Sequence, residues 1–362
     1  MSTALIDDSH PFGYNVPGVG RPSRSGATSG VSIRMQVPVR LDRRQQGGGP
    51  KVVAIGGGHG LATLLRGLKK HTAHITAIVT VADDGGSSGR LRRALGVLPP
   101  GDFRNCIAAL ADDEALITQL FQYRFAAPGE AGLNGHSFGN LFITALAEVS
   151  GSFERAVLEA GRVLAIQGRV IPSTLQPVTL LGDLRDEATG MNRVSGESRI
   201  TQAGGAIERV YLEPDDAPAY PEALRAILEA DLIVAGPGSL YTSVLPNLLV
   251  RQIAQAVAAS RALRVYVCNV ATQRGETDGY SVHDHVAALE RHVGAGLFPL
   301  VLANGDRQHA AALPAGVEPV RLDSAPDPVH VVLALDLVDP AQPWRHDSQK
   351  LAQALLRLLE GR

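Results

Sequence analysis

The sequence predicts an α/β fold with a mostly parallel sheet covered by helices on both faces. Three observations carry this. Short, uninterrupted apolar runs recur: "KVVAI" from Lys51, "ITAIVTV" over 75–81, "DLIVA" over 231–235, and further runs over 263–270 and 298–303. Runs of that length and character fit strands buried on both faces. Helical patterns stand between the strands, and glycine- or hydroxyl-rich loops follow three of them.

Taken in order, the first strand ends in the glycine turn "GGGHG", and Leu61, Leu64, Leu65 and Leu68 then recur at helical spacing. With the run over 75–81 this makes a βαβ unit. "EALRAILEA" reads as a helix before the strand at 231–235, and Pro246 fits a helix start after it. A last helix begins at an Asp347 N-cap and carries Leu351, Leu355, Leu356 and Leu359. Residues 151–220 are more polar and read as a smaller α+β insertion or as hairpins on the main sheet. Residues 1–50 are rich in Gly, Pro, Ser and Arg without strand or helix period, which predicts a disordered, mildly basic tail before a single domain over 51–362.

Composition excludes several function classes. A net charge of -2 over 362 residues gives no bulk electrostatic reason to bind nucleic acid or an anionic membrane. Aromatic residues, at 4%, are too scarce for base-stacking platforms. Cys106 and Cys268 stand alone, with no ligand spacing for zinc, and a reducing cytoplasm is the natural setting. No apolar run approaches the length of a membrane span, so no membrane insertion is expected.

The candidate site is built from strand-end loops. Gly56, Gly57, Gly58 and Gly60 sit between a strand and a helix, where backbone amides and a helix N-terminus favour a phosphate. The turn lacks the full dinucleotide fingerprint and the lysine of a P-loop. "ADDGGSSG" closes the second strand on the same side. There Asp83 or Asp84 is placed to accept ribose hydroxyls or to hold a cation, and Ser87 and Ser88 to donate to anions. "GDFRN" offers Asp102, Arg104 and Asn105, and "GHSFGN" offers His136 and Asn140; both also read as ordinary helix starts. "GPGSLYTSVLPN" is the richest loop, with Gly236, Gly238, Ser239, Tyr241, Thr242, Ser243 and Asn247. "NVATQRGET" trails the next strand. No nucleophile–base pair or metalloprotease motif stands out, so the chemistry reads as ligand binding in a nucleotide or sugar-phosphate crevice.

These loops together resemble the gluconeogenesis-factor (YvcK) family, within a CofD-like superfamily that includes 2-phospho-L-lactate transferase. The resemblance runs in order from Lys51 to the C-terminus. It implies a Rossmann-like, three-layer α/β/α fold. It also implies a UDP-sugar ligand such as UDP-N-acetylglucosamine, and a role in bacterial cell shape and cell-wall growth on gluconeogenic carbon. The transferase branch implies instead a nucleotide-linked phospholactyl donor and Mg²⁺, with Asp84 as the candidate metal ligand. "WRHD" resembles a family element that would bring Arg345 to a ligand phosphate. His59 departs from the threonine common in the family, and Ala271 from a methionine.

Three functions follow as expectations. The first is a cytoplasmic nucleotide-sugar-binding regulator. The second is an Mg²⁺-dependent transferase of nucleotide-diphosphate-linked substrates. The third, NAD-dependent oxidoreduction, is disfavoured by the imperfect glycine fingerprint and the absence of an evident proton donor. A homo-oligomer is compatible with all three.

Overall fold

The computed structural model describes residues 49–111, 115–126, 132–186, 190–306, 313–323 and 329–361. The expected tail lies almost wholly outside them, as does part of the segment after Asn304.

The apolar runs form the sheet. Strands β1 (Val52–Gly56), β2 (Ile75–Val79), β3 (Arg169–Pro172), β7 (Leu232–Ala235), β8 (Leu263–Val267), β9 (Leu300–Asn304) and β10 (Val331–Leu335) pair in the order β10-β9-β8-β7-β1-β2-β3. Every pairing is parallel. β1, β2 and β7 are buried along their whole length, which is why they read as unbroken apolar runs rather than as alternation.

The order sets the layers. From β1 the chain moves outward to β2 and β3 in one direction; from β7 it moves to β8, β9 and β10 in the other. Right-handed crossovers leaving in opposite directions place their helices on opposite faces. α1 (Gly58–Leu68) packs between α3 (Gly101–Leu110) and α12 (Ser348–Glu360) on one side. α8 (Pro221–Glu229) packs with α10 (Arg251–Ala259) on the other. The fold is three-layered α/β/α. α12 starts where its cap predicts: the Asp347 side chain accepts from the amides of Gln349 and Lys350 at 2.8 and 2.9 Å.

The region that resists sequence reading divides in two. α6 (Phe153–Val163) and β3 belong to the main layers. Strands β4 (Thr179–Asp186), β5 (Gly190–Ser195) and β6 (Ala206–Glu213) form a separate antiparallel sheet in the order β5-β4-β6, with α7 (Glu197–Ala203) in its last connection. Its strands mix buried and exposed positions on one element, so no clean period appears. Among the described residues no helix is long and apolar enough to cross a membrane.

Candidate functional site

β1 and β7 are neighbours whose crossovers depart in opposite directions, and ligands of such sheets bind beyond the strand carboxyl ends at that point. A cavity of about 440 Å³ lies there. It is lined by Gly57–Gly60 after β1, Pro237–Ser239 after β7, residues 269–274 after β8, Glu197 of α7, and residues 344–346. Cavities of about 490 and 550 Å³ lie elsewhere, one under α6 beside β3, one between the antiparallel sheet and α10. Placement at the strand ends, not volume, singles out the first.

The lips of this crevice touch backbone to backbone. A Cβ at Gly60 would stand 2.5 Å from the Pro237 carbonyl oxygen, so only glycine admits this approach. Gly58 takes a left-handed φ of 61° at the start of α1. Asn247, wholly buried, donates to the Gly56 carbonyl at 2.9 Å and to the Ser243 carbonyl at 2.8 Å, tying the end of β1 to the segment after β7. The Asn269 amide exchanges hydrogen bonds with Gly238 in both directions, at 3.2 and 3.0 Å. Gln273 donates to the Ser239 hydroxyl at 2.5 Å.

Basic and acidic groups both crowd the turn after β1. Burial, then Arg345, Arg104, Arg66 and Arg124, hold the His59 imidazole below its ordinary pKa. Arg345 is exposed. The acids lie beside them. The Asp102 carboxyl sits against Gly57, accepts the Gly58 amide, and is pushed up to about 7 by burial and by Asp83. Burial also raises Asp83, against the Gly85 amide that it accepts at 2.9 Å. Glu197 is raised well above the usual range by burial and by Asp83, Asp102, Glu276 and Asp84. Glu276 rises to about 7 through burial, although Thr242 and Tyr241 donate to it at 2.8 and 3.3 Å.

The expected residues separate into ligand-facing and framework groups. Gly57, Gly58, Gly60, Asp102, Gly238, Ser239 and Arg345 line the cavity. Gly236, at a φ of 81°, sets the turn after β7. Ser87 and His136 bond each other at 2.9 Å inside the protein, and Ser88 accepts the Gly101 amide at 3.0 Å. Arg104 is buried, brought down to about 10 by that burial, and donates to Ser137 at 2.6 Å and to Asn105 at 2.8 Å. Asn140 donates its own amide to Ser137 at 3.3 Å at the start of a helix. Tyr241 is fully buried against Tyr280, with hydroxyls 2.8 Å apart. Asn269, Gln273 and Glu276 belong to the "NVATQRGET" loop that the sequence marked as a whole, and Glu197 is the functional candidate that carried no signal in the sequence.

Asp84, the expected metal ligand, accepts the Ser198 amide at 2.9 Å and so fastens α7 to the loop after β2. Among the described residues no three Asp, Glu, His or Cys side chains converge as a metal cage. The donor set as built does not fit a preformed divalent-cation site.

The sequence profile of the 2-phospho-L-lactate transferase CofD family matches residues 52–357. A putative gluconeogenesis factor of Nostoc is 52% identical over 334 residues, covering 90% of this chain and 72% of that protein. The gluconeogenesis factor of Bacillus subtilis is 50% identical over 257 residues, covering 71% and 79%. A crystal structure of a UPF0052-family protein from Bacillus halodurans superposes with a TM-score of 0.78 at 44% identity, covering 86% of this chain and all of that one.

Proposed function

The chain belongs to the CofD family, alongside the gluconeogenesis factors, and on that premise we propose that it is a cytoplasmic nucleotide-sugar-binding regulator, its ligand a UDP-sugar. One observation carries the reading: the switch-point crevice presents the N-terminal turn of α1 and the Arg345 guanidinium to the same space. The first-turn amides of His59 and Gly60 have no intrahelical partner, and the helix dipole adds positive potential. Together these groups suit a diphosphate. Amides and hydroxyls from Asn269, Gln273 and Ser239 suit the polar remainder of the ligand. The name its relatives carry supports a role in carbon metabolism, and the resemblance noted above extends it to cell-wall growth.

Isothermal titration with UDP-N-acetylglucosamine, GDP and NADH, each with and without Mg²⁺, tests the reading. Heat with the UDP-sugar alone is the expected result; silence at millimolar ligand sinks it. A second reading, Mg²⁺-dependent transfer from a nucleotide-linked donor, is favoured by the match to the 2-phospho-L-lactate transferase family, the cation arriving with the donor. Turnover that requires Mg²⁺ would decide for it.

Arg345→Ala is expected to weaken UDP and UDP-N-acetylglucosamine alike by at least about tenfold, the scale of one charge-assisted hydrogen bond. The melting temperature should stay within about 1 °C, because surface substitutions outside a network change stability little. Affinity unchanged in this variant would place the phosphates elsewhere.

A further inference from the structure

The antiparallel sheet carries a second concentration of charge, away from the crevice. Residues two apart on a strand share a face, and directly opposed residues on neighbouring strands share it too. Register therefore puts Asp183 of β4 between Arg193 of β5 and Arg209 of β6, with Tyr211 next along the Arg209 face. Both guanidiniums lie over the Tyr211 ring, that of Arg193 at 5.5 Å from its centre and that of Arg209 at 5.9 Å. The neighbouring acids pair elsewhere, Asp183 with Arg193 at 3.0 Å and Glu208 with Arg185 at 2.7 Å. Among the described residues no carboxylate pairs with Arg209, which is exposed.

This face lines the cavity of about 550 Å³, which shares no lining residue with the crevice. Leu248, Leu249 and Arg251, at the start of α10, line it as well. The first turn of α10 holds no acid and Val250 gives it no side-chain cap, so the helix dipole adds positive potential. Arg251 donates to Asp215 at 2.5 Å, but the two side chains are 67% and 70% exposed. Pairs this exposed are worth about 0–1 kcal/mol, so Arg251 is readily released to a stronger anion. His292 also lines the cavity, yet both its ring nitrogens are taken, by the Val210 amide at 2.9 Å and the Ala288 carbonyl at 2.6 Å. The lining holds three guanidiniums, Arg193, Arg209 and Arg251, against the two carboxylates of Asp183 and Asp215.

We propose that this cavity is a second ligand site and that its ligand is a small organic phosphate bearing hydroxyls, such as a sugar phosphate. Arg209 and the released Arg251 hold the phosphate dianion, for which forked guanidiniums are suited. Asp215 turns to water. The Asp183 carboxylate and the Gln255 amide, both in the lining, meet the hydroxyls. The volume suits a small organic molecule rather than a bare ion. The site belongs to the antiparallel unit and α10, so it stands whether or not the crevice binds a nucleotide-sugar.

The test is calorimetric titration of the full chain with glucose 6-phosphate, inorganic phosphate and glucose. Glucose 6-phosphate should bind, inorganic phosphate more weakly, and glucose not at all. Arg209→Ala and Arg251→Ala should each weaken glucose 6-phosphate about tenfold, the scale of one charge-assisted hydrogen bond. Arg209→Lys keeps the charge without the fork and should fall between. Arg185→Ala removes an equal charge from the same sheet outside the cavity, and Arg345→Ala alters the crevice; both should stay within about twofold, since distant exposed charges are screened. All four arginines are exposed, so the variants should melt within about 1 °C of the unmodified protein. Silence with glucose 6-phosphate at millimolar ligand overturns the proposal. A loss in Arg185→Ala equal to that in Arg209→Ala overturns it by making net charge the cause. Affinity kept in Arg209→Ala but lost in Arg345→Ala overturns it by placing the phosphate in the crevice. Inorganic phosphate as tight as glucose 6-phosphate overturns the hydroxyl contacts.

Discussion

Alanine at position 60 is expected to reduce UDP-sugar affinity by more than tenfold and to lower the melting temperature by several degrees. The added methyl would meet three backbone atoms: the Pro237 oxygen at 2.5 Å, the Pro237 carbon at 2.7 Å and the Gly238 Cα at 2.8 Å. None of these can rotate away, so the two lips of the crevice must part. Overpacking of this kind costs about 1–3 kcal/mol, and each kcal/mol shifts the midpoint of a domain this large by roughly 1.5 °C. The larger consequence is for the ligand. Gly238 is held by Asn269 at 3.2 and 3.0 Å, so a displaced lip carries the loop after β8 with it, and the amides that converge on the diphosphate lose register. Gly96→Ala is the control. Gly96 takes a left-handed φ of 68° but faces open space, so a methyl there strains the backbone without touching the crevice. Scanning fluorimetry and titration on both variants separate the two effects. Full affinity in Gly60→Ala would show that the lip contact does not set the site.

The contrast between these two glycines also explains what sequence reading reaches. Strands buried on both faces leave unbroken apolar runs, and loops at their carboxyl ends leave glycine and hydroxyl clusters, so the parallel sheet and its crevice are legible. The role of each polar side chain is not. Asn247 looks like one more loop amide, yet its partner is the carbonyl of Gly56, 191 residues away. Ser87 and His136 look like ligand contacts, yet they satisfy each other at 2.9 Å across 49 residues. A sequence shows that a hydroxyl or amide is present, not whether a backbone carbonyl or a ligand claims it. Glu197 is the converse. It lies in a polar stretch with no period, "SGES", and becomes a buried acid because α7 folds against the loops after β2 and β8. Nothing within a few residues of it encodes that burial.

The buried acids make one last prediction, with the sign set by linkage. Asp102 and Glu276 titrate near 7 in the folded protein against 3.8 and 4.5 ordinarily. A carboxyl whose folded pKa is raised contributes stability that is full below its unfolded pKa and is lost as pH rises through the folded one. Buried histidines pull the other way at lower pH. Burial lowers His346 to about 4 from 6.5, so its neutral form is lost to stability only as pH falls below 6.5. The two trends cross near pH 6.5, and above it only the acids act. Stability by urea unfolding is therefore expected to fall between pH 6.5 and 8, by about 1 kcal/mol for each acid titrating near 7. Asp102→Asn isolates the effect. Asparagine keeps an oxygen for the Gly58 amide but has no proton to lose. The variant should be more stable at pH 8 by roughly 2–4 kcal/mol and should show a visibly flatter profile. Stability that rises from pH 6.5 to 8 would mean these carboxyls are ionised and partnered in the folded state. That would point to a cation among Asp83, Asp102 and Glu197, and to the transferase reading over the regulator.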